Sequence, residues 1–90
     1  VMPGVLIVEA LAQAGGIALL TLENMRGKLA FLGKLTNVRF YAPVVPGDLL
    51  ELDSAISAVN GTIGMGTGTA RVAGKKVCSC EFVFAIKEPD

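Results

Sequence analysis

The run VMPGVLIVEALAQAGGIALLTL, Val1 to Leu22, decides the fold. Nearly every residue in it is apolar or small, a composition shared by membrane spans, signal peptides and helices at the centre of a globular domain. The sequence argues against the first two. No Lys or Arg precedes Arg26, so the basic head of a signal peptide is lacking, and Glu9 near the middle of a spanning helix would cost about 2.5–3.5 kcal/mol. A helix of about 20 residues and about 30 Å, hydrophobic on most sides, is instead what a sheet wrapped around it needs. Its ends are predicted from Pro3-Gly4 at the start, where proline tolerates the first turn, and from Arg26-Gly27-Lys28 at the exit, where basic side chains face the carbonyl end of the dipole. Between them Gly15 and Gly16 each cost about 1 kcal/mol relative to alanine. Something must approach closely there, either a curling sheet or an apolar ligand lying along the helix.

After Gly27 the apolar period changes from helical to alternating. A strand from about Leu32 to Ala42 puts Val38, Phe40 and Ala42 on one face and Asn37, Arg39 and Tyr41 on the other. Pro43-Val44-Val45-Pro46-Gly47-Asp48 is turn chemistry. A second strand, about Leu49 to Val59, alternates Leu50, Leu52, Ile56 and Ala58 against Glu51, Asp53 and Ser57, and Asn60-Gly61 supplies a hairpin. The third, about Thr62 to Val72, carries Gly64, Gly66 and Gly68 on one face, a row that removes bulk where another backbone comes close or else marks a loose edge. Ala73-Gly74-Lys75 then turns into a last strand, about Lys76 to Ile86, with Cys78, Cys80, Phe82, Phe84 and Ile86 facing one way.

Composition bounds the function. Ninety residues make one domain, spanning 1–90, since domains usually run about 50–250 residues. Eight Lys plus Arg balance eight Asp plus Glu, which argues against nucleic acid or anionic lipid as a partner. Hydrophobic residues at 52% together with eleven glycines exceed the about 45–50% this combined set makes up in a typical soluble domain, so an apolar surplus awaits another copy, a missing segment or a ligand. A homodimer or higher homo-oligomer is expected. The absence of histidine removes the usual neutral-pH base and the commonest metal ligand, so no metal or cofactor is expected. Cys78 and Cys80 lie two apart in a strand, about 6.5 Å along it, a poor disulfide spacing; they read as small apolar core residues in a reducing, cytoplasmic compartment.

One long helix followed by antiparallel strands is an α+β arrangement of the wrapped-helix, hot-dog kind. Val1-Met2-Pro3-Gly4-Val5, then Glu9-Ala10-Leu11-Ala12-Gln13, Val38-Arg39-Phe40 and Pro43 to Asp48, in this order and over almost all of the chain, closely resemble the (3R)-hydroxyacyl-acyl-carrier-protein dehydratases of bacterial fatty acid synthesis. In that family a His-Phe-Pro stretch carrying the catalytic histidine precedes the segment like Val1 to Gly4. The resemblance therefore implies the carboxyl-terminal two thirds of a hydro-lyase, with one or two upstream strands and the histidine not included. Isomerising relatives carry Asp where this chain has Glu9, which favours the non-isomerising type.

Loss of water from a β-hydroxyacyl thioester needs a base for the α-proton, an acid for the departing hydroxyl and donors for the enolate-like oxygen. The resemblance assigns the base to the missing histidine, the acid to Glu9 and an oxyanion donor to the backbone N–H of Gly4. Gly4 lies at a helix start, where unpaired amides favour negative charge. To donate, Glu9 must carry a proton. The helix start favours its anion by about 0.3–1 kcal/mol, and burial, if Glu9 is buried, favours the acid form more strongly. Gln13, one turn on, either orients Glu9 or bonds a loop. The resemblance implies acyl carrier protein with its phosphopantetheine-linked acyl chain as partner. Arg26, Lys28, Lys34 and Arg39 would greet such an acidic partner, or are simply solvated. Two other readings stay open: a hot-dog thioesterase using the helix carboxylate, and a non-catalytic association module. The ninety residues alone are expected to be inactive.

Overall fold

The computed structural model describes residues 3–22 and 25–89. The helix α1 (Gly4–Leu20) is followed by β1 (Leu29–Phe40), β2 (Leu50–Asn60), β3 (Ile63–Val72) and β4 (Lys75–Lys87), an α+β chain in the predicted order. The strands form one antiparallel sheet in the order β1-β4-β3-β2, with the helix packed on one face. No helix among the described residues is long and apolar enough to cross a membrane.

The helix starts where Pro3 and Gly4 place it but stops at Leu20, not at Arg26. The chain turns at Thr21, whose N–H donates to Ile17 O and Ala18 O and whose Oγ1 donates to Ala18 O at 2.7 Å. With no basic residue in its last turn, α1 gains nothing from Arg26 and Lys28; Lys28 instead pairs with Glu88 at 3.3 Å. Nor is the helix covered on most sides. Ile7, Val8, Leu11, Ala12, Gly15 and Leu19 are buried against the sheet, whereas Val5, Glu9, Gln13 and Ile17, spaced by four, form an exposed stripe. A single sheet covers only one face of a cylinder, and the stripe is what remains.

Two short turns join β2 to β3 and β3 to β4, so those strands are neighbours. The connection from β1 to β2 must instead cross the whole sheet, about 14 Å at the usual strand spacing. It passes over the start of the helix, where Val44 is buried in the same apolar cluster as Ile7 and Val8. The corner is built by Val45-Pro46-Gly47-Asp48. Asp48 N–H donates to Val45 O at 3.1 Å, the Asp48 carboxylate accepts from Val45 N–H at 2.9 Å, and Gly47 takes the left-handed φ of +94° that a type II turn demands at that position.

The glycine row is a close-approach surface. A Cβ on Gly64 would strike Leu19, one on Gly68 would meet Leu11, and one on Gly66 would collide with the Phe82 ring. That ring, 1% exposed, lies between Gly66 of the sheet and Gly15 of the helix, where an added Cβ would fall inside it. Phe84 packs edge-on against Phe82 with ring centroids 5.3 Å apart. Ser54 ties the far edge of the sheet to the helix by donating to Leu11 O at 2.9 Å.

Cys78, Cys80, Phe82, Phe84 and Ile86 all face the helix, as alternation predicts. One face assignment changes. A bulge between Ile56 and Ala58 shifts the parity of β2, so Ala58 pairs with outward Met65 while Val59 pairs with inward Gly64. The outer face of the sheet is polar at one end, with Asn37 donating to Glu81 Oε1 and Tyr41 Oη bonded to Ser79 Oγ at 3.0 Å, and apolar at the other, where Phe31, Ile63 and Met65 are exposed.

Candidate active site

Glu9 and Gln13 stand one turn apart on the exposed stripe of α1, and Gln13 Nε2 donates to Glu9 Oε1 at 3.4 Å, a long contact. The stripe forms one wall of a groove of about 690 Å³. Ala30, Leu32 and Leu35 of β1 make the other wall, Phe84 lies beneath, and Val8, Ala12, Gly16 and Leu20 continue the helical side. Among the described residues Glu9 and Gln13 are the only charged or amide side chains lining it; the other lining residues are apolar or glycine.

Glu9 is exposed. Among the described residues nothing shields it from solvent, so any burial has to come from what fills or covers the groove.

Gly4 lines a second groove, of similar volume, with Val38, Phe40, Tyr41 and the Pro43-Val44 crossing. The two grooves share Val5 and Val8, so a ligand touching both Gly4 and Glu9 lies across the first turns of the helix. Among the described residues no side chain caps the helix start, because Pro3 holds the N-cap position and the first turn has no acidic residue. The first amides are thus open to a developing anion. Gly4 has a packing reason as well, since a Cβ there would collide with the ring of Phe40. Val1 and Met2 of the same motif lie outside the described residues.

The structure therefore brings Glu9 and Gln13 together, places Gly4 in the adjoining groove, and adds a wall the sequence reading did not assign. Leu32 and Leu35 belong to that wall, and Phe40 lines the adjoining groove beside Gly4. The signal for Phe40 was its place on one face with Val38, but only the sheet order puts that face beside the helix start. Arg39 lies on the polar outer side of the sheet with Asn37 and Glu81, away from the apolar grooves. Cys78 and Cys80 are buried, free thiols, both pushed up by burial, and Cys80 is raised further by its neighbour Cys78 while a backbone hydrogen bond from Gly68 opposes the shift. In the sheet Cys80 pairs with Gly68 and Cys78 with Ala70, and neither lines either groove.

Residues 1–81 match the profile of the FabA-like domain. The chain is 54% identical over 88 residues to the 3-hydroxyacyl-[acyl-carrier-protein] dehydratase FabZ of Bacillus velezensis, a match covering 98% of this chain and 62% of that protein. To the protein of the same name from Clostridium perfringens it is 56% identical over 86 residues, covering 96% and 62%. The chain thus spans about 62% of the length of these curated relatives. Among solved structures, a hot-dog-like protein from Thermanaerovibrio acidaminovorans superposes with a TM-score of 0.80 over 99% of this chain and 64% of that one, at 20% identity, a likeness of fold.

Proposed function

The chain belongs to the family of FabA-like domains, and from that membership we propose that it is the helix-bearing part of a hydro-lyase that dehydrates (3R)-hydroxyacyl chains carried on acyl carrier protein to trans-2-enoyl chains in fatty acid synthesis. The observation that carries this reading is Glu9, held by Gln13 at one end of an otherwise apolar groove, in a chain more than half identical to proteins named as such dehydratases.

In this mechanism the thioester carbonyl lies over the first turns of α1, with its oxygen toward the N–H of Gly4. A base takes the α-proton, the enolate-like charge is met by the helix start, and the Glu9 carboxyl gives its proton to the β-hydroxyl, which leaves as water. Gln13 orients the carboxyl. The base is not a histidine of these ninety residues, since they contain none; it is supplied from outside them. The phosphopantetheine-linked chain and the carrier are the partners, and the site is cytoplasmic.

Turnover of a hydroxybutyryl thioester by the full-length protein tests the reading. Appearance of the conjugated enoyl thioester is expected, and release of free thiol with no enoyl product would establish a thioesterase instead. The ninety residues by themselves are expected to do neither. Dehydration by them, abolished by Glu9→Gln, would mean that the carboxylate suffices and that the division of labour above is wrong.

We further propose that the protein works as a homodimer or larger homo-oligomer. β1 is an edge strand, and the exposed Val5, Ile17 and Phe40 flank the two grooves, more apolar surface than a small monomer leaves open. Sedimentation is expected to show an associated species; a stable, folded monomer at micromolar concentration would contradict it.

A further inference from the structure

Gly15 and Gly16 are adjacent in sequence and opposite in circumstance. Gly15 is buried, and a Cβ there would fall inside the ring of Phe82. On Gly16 a Cβ would sit 3.5 Å from the ring of Phe84, an ordinary contact. Packing thus requires a glycine at the first position and not at the second. A glycine in a helix interior weakens the helix relative to alanine, so packing among the described residues leaves the bare Cα of Gly16 in want of a cause.

The groove that Gly16 lines offers one. Gly16 follows Glu9 by seven residues, nearly two full turns, and so lies almost directly above it on the same face, about 10 Å along the axis. Between them the groove is lined by Ala12 and Gly16 on the helix and by Leu32, Leu35 and Phe84 on the sheet, with no polar side chain past Gln13 among the described residues. A flexible hydrocarbon tail is the chemistry that fits such a passage, and a thioester beside Glu9 would feed its tail into it. Resting on the dehydratase reading above, we propose that Gly16 is the specificity-determining residue for acyl-chain length: its missing side chain leaves the passage over Phe84 open, so that long tails continue toward Leu20, and a side chain at 16 closes it.

The test uses the full-length protein with Gly16→Ala and Gly16→Leu, assayed on hydroxybutyryl and hydroxypalmitoyl thioesters, with thermal unfolding of each variant. The leucine variant is expected to lower the long-to-short ratio of kcat/KM by about 10–100-fold, and the alanine variant to lower it by less. Should leucine disturb folding, the alanine variant, whose Cβ the structure accommodates, still has to lower the ratio. An unchanged ratio in a folded variant overturns the proposal. If the unsubstituted protein dehydrates neither thioester, the dehydratase reading fails separately. Calorimetric binding of an unreactive palmitoyl pantetheine thioester then decides the groove: weaker binding to Gly16→Leu upholds it, and equal binding overturns it.

Discussion

Glu9→Gln in the full-length protein is expected to lower turnover of a hydroxyacyl thioester by about 10²–10⁴-fold, the usual contribution of a positioned general acid. Glutamine keeps the volume of the side chain and its hydrogen bond to Gln13, so the groove and the helix survive. In the proposed mechanism what it loses is the proton for the departing hydroxyl. Because that proton moves only in the transition state, kcat and kcat/KM should fall together and KM should stay near its original value. Gln13→Ala should do less, since it removes one long contact to Glu9, at 3.4 Å, and leaves the carboxyl in place. An unimpaired Glu9→Gln protein would remove Glu9 from the mechanism. A rise in KM alone would make it a binding residue.

How much of this was legible in the sequence differs from element to element, and the differences have causes. The start of the helix was legible because Pro3 and Gly4 act locally. Its end was not, because nothing in Thr21-Leu22 resembles a stop: Thr21 ends the helix through its own hydroxyl and through the need to turn the chain back toward the sheet. The inward row of β4 followed from strict alternation, and so did the glycine face of β3. Alternation failed at Ala58, where the bulge inserts one residue and inverts the face. The site was legible as residue types but not as a place. Sequence spacing put Glu9 and Gln13 on one helical face, whereas the opposite wall comes from β1, which reaches the helix only because it pairs with β4 rather than with its sequence neighbour β2. The exposure of Glu9 could not be read at all, since burial of a groove residue depends on what lies over it.

The second large effect concerns stability. Gly15→Val is expected to destabilise the chain by about 1–3 kcal/mol or more, as overpacking does, and Phe82→Ala by about 3–5 kcal/mol. Phe82 is held on two sides at once, by Gly15 of the helix and Gly66 of the neighbouring strand, and at 1% exposure it has no solvent into which to swing. A branched side chain at Gly15 must therefore push the helix off the sheet, which would also pull Leu11 and Leu19 away from Gly68 and Gly64. Against a total stability of about 5–15 kcal/mol such losses approach unfolding. Gly16→Ala should go the other way, raising stability by up to about 1 kcal/mol, because the helix gains a better former and the new Cβ meets Phe84 at ordinary distance. Opposite signs at neighbouring glycines separate close packing from helix propensity, which predicts the same sign at both. Urea unfolding of the three variants at one fixed protein concentration, so that association does not shift the midpoints, reads the result. If Gly15→Val unfolds at the same midpoint as the unsubstituted chain, the helix is not seated on Phe82. The groove wall that Glu9 and Gly16 share with β1 would then have no fixed geometry.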